Sequence, residues 1–334
     1  MHSVLVIGCG SIGERHLRCF LGTKRTQVTA CDANLDLLRT MAERYGVRTI
    51  PAVNDALGEP FDAVIICTPA PLHVPFALQA LRSGKHVLIE KPLSHSLSGL
   101  EELLAVHRAT DRQVAVAYVY HALPFFAAAR AFLAEGNFGP VLHASALAGQ
   151  SFHLLRPAYA QTYYRDRKTG GGAIQDALTH LANAIESVLG PTESVMCDCA
   201  HLALPNVTVE DTAHVAARHK GALASYCLNQ FQAPNETSLQ FDTAQGSVRI
   251  ELHRQRWGSF RSGDADWQWH EGTRGDRDAP FITQANAFLD QIEGQPARLC
   301  SLEAGAHTLR FNLAALASAE RGVRVSCDDA SLHA

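Results

Sequence analysis

A short apolar run, Val4 to Ile7, turns at once into Gly8-Cys9-Gly10-Ser11-Ile12-Gly13, and this junction constrains the chain more than any other stretch. The run is too short for a helix and too continuous for a half-exposed strand, so it reads as a buried parallel strand. The glycines follow at G-x-G-x-x-G spacing: Gly8 for a tight turn, Gly10 for close approach of a pyrophosphate, Gly13 for packing of the next helix on the strand. That helix, about Ile12 to Leu21, aims free N–H groups and its positive dipole end at phosphates. A second strand, Gln27 to Cys31, ends at Asp32, 19 residues after Gly13, where a carboxylate bonds a ribose hydroxyl. The bland alternative is a purely structural βαβ turn. Asp32 repels a 2′-phosphate and its neighbours Ala33 and Asn34 offer no cation, so the spacing predicts NAD in preference to NADP.

With 334 residues the chain exceeds one usual domain, and two are expected. A hydrophobic content of 47% with 19% charged residues is that of an ordinary globular protein, and a net charge of −4 gives no reason to expect nucleic acid or an anionic membrane as partner. Neither a signal peptide nor a membrane span is apparent. The nine cysteines lack framework spacing and read as free thiols in a reducing cytoplasm. Cys197, Cys199 and His201 alternate along one strand, but Cys-x-Cys is a narrow spacing for zinc and a fourth ligand is missing, so no metal is expected.

Along the first half, helix Leu35 to Tyr45 stops at Gly46, a turn falls at Asn54-Asp55, and a second buried run, Ala63 to Cys67, ends in Thr68-Pro69-Ala70-Pro71-Leu72-His73. Helix Val74 to Ser83 and strand His86 to Ile89 follow, then Glu90-Lys91-Pro92, helix Leu100 to Thr110 and strand Val114 to Tyr118. Strand and helix alternating with short connections predict a doubly wound parallel α/β sheet. Ligands bind such sheets beyond the carboxyl ends of the strands. Four separate stretches converge on that edge: the glycine turn, Asp32, Thr68 to His73, and Glu90-Lys91. Lys91 directly follows an apolar strand, with Pro92 holding it extended. An ammonium there either hydrogen-bonds to or protonates a substrate oxygen, or pairs with a carboxylate such as Glu90.

The crossover to the second half falls near Tyr120-His121-Ala122-Leu123-Pro124. Helix Phe125 to Glu135 and strand Val141 to Gly149 lead to the chemical centre of this half, Thr169-Gly170-Gly171-Gly172, opening a helix that runs to about Leu189. Ile174, Leu178, Leu181, Ile185 and Val188 form its apolar stripe, and Asp176, His180 and Asn183 share another face. Periodicity alone reads that face as a solvated polar stripe. The sharper reading is a carboxylate orienting an imidazole for general acid–base work. From Val195 onward the pattern is alternating strands with turn signals, for example Ser247 to His253. Five or six such strands predict an open, mostly antiparallel sheet with helices on one face. A long helix, Leu302 to Arg321, closes the chain.

GCGSIGERHLR, followed by CTPAPLHVPFALQALRSGKHVLIEKPLS, resembles the Gfo/Idh/MocA family of oxidoreductases. The resemblance implies a Rossmann domain over residues 1–120 and a substrate-binding and oligomerising α+β domain over 121–334. It places Gly8, Gly10, Ser11, Ile12, Gly13, Asp32, Thr68, Pro69, His73, Glu90 and Lys91 around the dinucleotide, and Lys91 also beside the reacting carbon. The family motif GGG-x-x-x-D-x-x-x-H falls on Gly170 to His180, which makes Asp176 and His180 catalytic. Tyr120, His121, Tyr163, Tyr164, Arg165 and Asn183 would contact substrate, although the loop Arg156 to Lys168 also reads as a plain basic tip. The chain departs from the family at His121, commonly arginine, at Leu178, often glycine, and at Asn183, frequently aspartate. The resemblance also implies a homodimer or homotetramer formed through the uncovered sheet face. The reading that follows is an NAD-dependent oxidoreductase acting on a secondary hydroxyl of a sugar, cyclitol or sugar derivative. Two alternatives stay open: a redox-neutral, NAD-dependent glycoside hydrolase, and a dinucleotide-binding sensor without turnover.

Overall fold

The computed structural model describes residues 1–273, 275–296 and 298–333, and the chain forms two compact units. The first contains residues 1–94, 98–122 and the described part of 275–305; the second contains 95–97, 123–273 and 306–333.

In the first unit the chain runs β1 (His2–Ile7), α1 (Ser11–Gly22), β2 (Thr26–Cys31), α2 (Leu35–Tyr45), β3 (Arg48–Ile50), α3 (Val53–Gly58), β4 (Ala63–Ile66), α4 (His73–Arg82), β5 (His86–Ile89), α5 (Leu100–Arg108) and β6 (Val114–Val116). The apolar runs become strands because both faces are covered: Val4 to Val6 of β1 and Ala63 to Ile66 of β4 have no accessible surface. Gly46 ends α2 where the sequence predicts, with φ +66°; at its start the Asn34 side chain accepts the Asp36 and Leu37 N–H groups, a cap that the sequence reading did not name. Asn54 and Asp55, read from sequence as a turn, lie instead in the short helix α3.

In the second unit, α6 (Pro124–Ala134) and β7 (Val141–Ser151) lead through α7 (Phe152–Leu155) and single 3₁₀ turns to a π-helical turn, Ile174–Leu178, and α8 (Thr179–Leu189). Strands β8 (Thr192–Ala200), β9 (Thr212–His219), β10 (Ala222–Asn229), β11 (Phe231–Thr243), β12 (Gly246–Glu251), β13 (Arg256–Arg261) and β14 (Gln268–Glu271) follow. The chain then re-enters the first unit through α9 (Ala279–Ile292) and β15 (Cys300–Ser301), and helix α10 (Leu302–Arg321) and β16 (Val325–Ser326) return it to the second.

The first sheet has the order β15-β6-β5-β4-β1-β2-β3, parallel except for β15. The order reverses between β1 and β4, which opens the ligand crevice at their carboxyl ends. The second sheet has the order β14-β13-β12-β11-β7-β10-β9-β8-β16. Its pairs are antiparallel except β7 with β10, which run parallel. It holds nine strands, more than the alternation suggested, because β13 and the two-residue β16 carry little periodicity. Along β9 and β10, Ala213, Val215, Ala217, Ala222, Ala224, Tyr226 and Leu228 are buried while His214, Ala216, Leu223 and Ser225 face out. The buried face packs on helices: the Tyr226 ring lies 5.2 Å from that of Phe311 of α10, and Phe132 of α6 lies 5.3 Å from Trp257.

The units differ from the sequence division at 120/121, because 275–305 belongs to the first. Helix α9 inserts Ala285, Phe288 and Leu289 into the core that holds Val4, Val6, Leu17 and Phe20, and Asp278 pairs with Arg18 at 2.5 Å. A segment far along the chain completes the first core, which no local pattern announces.

Candidate active site

In the first unit each motif glycine has its own reason. Gly8 turns with φ +91°, and a Cβ there would stand 2.7 Å from the Cys67 carbonyl oxygen. A Cβ at Gly13 would stand 1.7 Å from the Gly8 oxygen, so the helix touches the turn backbone to backbone. Around Gly10 a Cβ would meet nothing within 4 Å. Gly10 and Ser11 are exposed, Ile12 half-buried, and no side chain caps the first turn of α1. This is an open helix N-terminus at the switch point, with main-chain donors facing outward, the arrangement that receives a pyrophosphate.

Asp32 does two jobs. Its Oδ2 accepts the Cys9 N–H at 2.7 Å and its Oδ1 the Asn34 N–H at 2.8 Å, so it braces the glycine turn. A carboxylate has about four lone-pair positions, which leaves acceptor capacity for ribose hydroxyls. At the end of β4, Thr68 presents a buried Oγ1 that has no partner among the described residues. Pro69 beside it is exposed. The open N-terminus, the braced carboxylate and the unsatisfied hydroxyl together fit a dinucleotide.

His73 behaves otherwise than the sequence reading implies. It is buried, with Nε2 2.7 Å from the Thr68 carbonyl and Nδ1 2.9 Å from that of Pro92, and burial holds its imidazole below the ordinary histidine range. The ring therefore lies between the Thr68 loop and the Lys91-Pro92 turn, whose peptide bond is cis; both nitrogens face main-chain carbonyls, and the neutral imidazole donates its single N–H to one of them. Glu90 is likewise buried. Its Oε1 lies 2.8 Å from Nε2 of His16, and its Oε2 accepts the Lys91 N–H at 2.9 Å. Lys91 is half-buried at the carboxyl end of β5. His16 was not singled out from sequence; nothing in the spacing of an α1 residue reports a partner 74 positions on. Tyr120 and His121 close this unit on a 3₁₀ turn, Val119–Ala122, where His121 is buried and burial pushes the Tyr120 phenol up to about 12.

In the second unit the three glycines open the helix as the motif suggests, but the first turn is π-helical, with the Thr179 N–H reaching back to the Ile174 carbonyl. Such widened turns concentrate at functional sites. Asp176 lies within this turn and is 8% exposed; its Oδ1 accepts the Tyr163 hydroxyl at 2.6 Å. His180, one turn on, is half-buried. Asn183, assigned from the resemblance to substrate, is 3% exposed and donates its amide to Thr308 Oγ1 at 3.0 Å, which bolts α8 to α10. Asn312 repeats this one turn along, donating to Thr179 at 2.9 Å.

The loop before the glycines separates its aromatic residues. Tyr163 is 39% exposed, whereas Tyr164 is 2% exposed, bonded to Gln230 and packed on Phe152 at 4.7 Å and on Tyr159. Tyr164 is thus the core of the loop rather than a substrate contact, because its neighbours need an apolar ring beneath them. Arg165 is exposed. Arg167 is exposed too, but its guanidinium reaches a buried carboxylate: its Nε and Nη2 stand 3.1 and 3.0 Å from Glu210 Oε2. Burial pushes the Glu210 carboxyl above its ordinary range, against the pull of Arg167. The next residue, Asp211, is also buried, but N–H groups of Leu204, Ala203 and Leu202 outweigh that burial and hold it below the carboxylate range. Glu210 and Asp211 were missed from sequence; only an acidic pair before a strand marks them.

No group of metal-ligating residues occurs among the described residues, no disulfide joins any of the nine cysteines, and no helix there is long and apolar enough to cross a membrane. Residues 2–118 match a family described as an oxidoreductase family with an NAD-binding Rossmann fold, and residues 126–253 match the GFO/IDH/MocA C-terminal domain. The chain is 27% identical over 312 residues to a 1,5-anhydro-D-fructose reductase of Ensifer adhaerens, spanning 86% of this chain and 89% of that one. An inositol 2-dehydrogenase of Acidothermus cellulolyticus is 32% identical over 182 residues, 52% of this chain and 50% of its own. Levoglucosan dehydrogenase, solved in complex with NADH, shares the fold with a TM-score of 0.89 at 20% identity, over 98% of this chain and 99% of that one.

Proposed function

Since the chain belongs to the GFO/IDH/MocA family of NAD-binding oxidoreductases, we propose that it interconverts a secondary hydroxyl and a ketone on a sugar, cyclitol or sugar derivative. The observation that carries the reading is the open, uncapped N-terminus of α1 at the switch point, with Lys91 following β5, two strands along from β1 in the same sheet. The relatives named for 1,5-anhydro-D-fructose and inositol support the substrate class.

The α1 N–H groups hold the pyrophosphate, Asp32 the adenosine ribose, and Thr68 a polar group further along the dinucleotide. When bound, NAD supplies the two-electron acceptor for the oxidation. His180 takes the hydroxyl proton as general base, worth roughly 10²–10⁴-fold in rate. Asp176 orients that imidazole and stabilises its charge as the proton arrives. Lys91 donates a hydrogen bond to the reacting oxygen and stabilises negative charge developing there. In the reverse direction His180 returns the proton. Tyr163 and Arg165 bind further polar groups of the substrate. A second copy of the chain covers the outward sheet face, where Leu142, Leu147, Met196 and Leu223 are exposed.

The test is NADH absorbance with the purified enzyme, NAD and a panel of sugars, inositols, sugar acids and glycosides, with His180→Ala beside the wild type. Turnover that falls roughly 10²–10⁴-fold in His180→Ala is expected. A glycoside split without NADH accumulating, or silence across the panel from a protein that binds NAD, contradicts the reading.

A further inference from the structure

Glu210 receives both leading N–H groups of the helix that carries Asp176 and His180. Its main-chain oxygen accepts the Ala173 N–H at 2.9 Å, and its Oε1 accepts the Ile174 N–H at 3.1 Å. The carboxylate is 2% exposed, so it stands at the helix N-terminus out of water, where the dipole favours a negative charge. The glycines make room for it. A Cβ at Gly172 would stand 2.3 Å from Glu210 Oε1, at φ +96°, and a Cβ at Gly171 would stand 2.2 Å from the Tyr164 oxygen. The Arg167 guanidinium, on the far side of the carboxylate, compensates its charge. Arg167 and Tyr163 belong to one loop, so that loop is fastened twice: on Asp176 through the Tyr163 hydroxyl and on Glu210 through Arg167.

We propose that Glu210, clamped by Arg167, is a positioning residue for acid–base chemistry: by holding the Ile174 N–H it fixes the π-helical turn that sets the direction of Asp176 and, one turn on, of His180. The inference rests on the catalytic reading of those two residues, and it assigns the glycines before them a definite purpose. They admit a carboxylate of the protein itself to the helix end. Glu210 touches neither substrate nor dinucleotide in this account and acts only through the helix.

The test needs no substrate. The full-length protein is labelled at histidine Cε1, and the His180 resonance is identified by its loss in His180→Asn. In Glu210→Ala the His180 resonance is expected to move from its wild-type position. In Glu210→Gln, whose amide oxygen still accepts the Ile174 N–H, it should stay close to it. The other histidine resonances of the second unit at their wild-type positions and a cooperative thermal transition report that each variant is folded there, and calorimetric NAD binding reports the same for the first unit. With any compound turned over by the absorbance panel, kcat should fall about 10²-fold in Glu210→Ala, with KM little changed. An unmoved His180 resonance in a Glu210→Ala protein that binds NAD normally overturns the proposal, as does an equal displacement in Glu210→Gln. If Glu210→Ala does not fold, Arg167→Met, at a half-exposed guanidinium, replaces it, with a displaced resonance expected and an unmoved one contradicting. A silent substrate panel counts against the oxidoreductase reading alone and leaves this measurement intact.

Discussion

The molecule contains two glycine-rich turns that each open a helix, and they are finished in opposite ways. At Gly8 to Gly13 the first turn of α1 has no side-chain cap and the space around Gly10 is open. At Gly170 to Gly172 the corresponding space is filled by the protein's own Glu210 and Tyr164. Both helix ends concentrate N–H donors and a positive dipole, and both favour an anion. One leaves its donors without a side-chain cap, open on the proposed reading to an anion brought by a ligand; the other satisfies its leading donors internally. A binding turn and a positioning turn thus differ in whether the chain supplies its own carboxylate, more than in their glycine content.

The largest expected effect separates the two helices by role. His180→Ala should lower turnover roughly 10²–10⁴-fold while leaving calorimetric NAD affinity at its wild-type value. A loss of NAD affinity equal to the loss of rate would erase the distinction between the turns. Next comes stability. In Gly13→Ala the new Cβ meets the Gly8 oxygen, backbone against backbone, and the variant should lose on the order of 3 kcal/mol, read by urea titration. Gly172→Ala should lose about 2 kcal/mol, since φ +96° is strained for alanine and the Glu210 carboxylate must move aside.

The smallest effect concerns pH. Burial raises Glu186, on α8, to about 7, while Thr308 Oγ1 donates to it at 2.6 Å. Between about pH 4.5 and 7 the folded protein then holds a proton that the unfolded chain releases, so this group's contribution to stability is full below pH 4.5 and is lost as pH rises through 7. Glu186→Gln should remove that slope, raising Tm relative to wild type by about 1–3 °C at pH 8 and less at pH 5. An unchanged slope would mean that Glu186 titrates as an ordinary carboxyl.

The first turn was legible in sequence because its chemistry is local: a buried strand, three glycines and an aspartate follow one another, and each lies where the spacing puts it. The positions of Lys91 and Asp176 in the fold were legible for the same reason, next to a strand end and to a glycine run. What could not be read is what distant segments supply. Glu210 reaches the Asp176 helix from beyond β8, and His16 reaches Glu90 across 74 positions. Helix α9 completes a core begun some 280 residues earlier. Tyr163 and Tyr164 are adjacent and chemically identical, yet one is exposed and bonded to Asp176 while the other is buried. Only the fold of the loop decides between them. Asn183 shares the polar face of Asp176 in the periodic pattern, but α10 comes down on that position and takes its amide.

The contrast between the turns is tested most directly by giving the first what the second already has. Gly10 stands at the N-cap of α1 with φ −66° and ψ −173°, an extended conformation open to any residue, and a Cβ there meets nothing within 4 Å. In Gly10→Asp the new carboxylate caps the helix itself, so thermal stability should be maintained or rise by about 1 kcal/mol. Calorimetric titration with NAD should then show binding weakened by two orders of magnitude or more, on the order of 3 kcal/mol. A folded Gly10→Asp protein that binds NAD as tightly as the wild type would contradict the account, because the pyrophosphate would then lie somewhere other than the open end of α1.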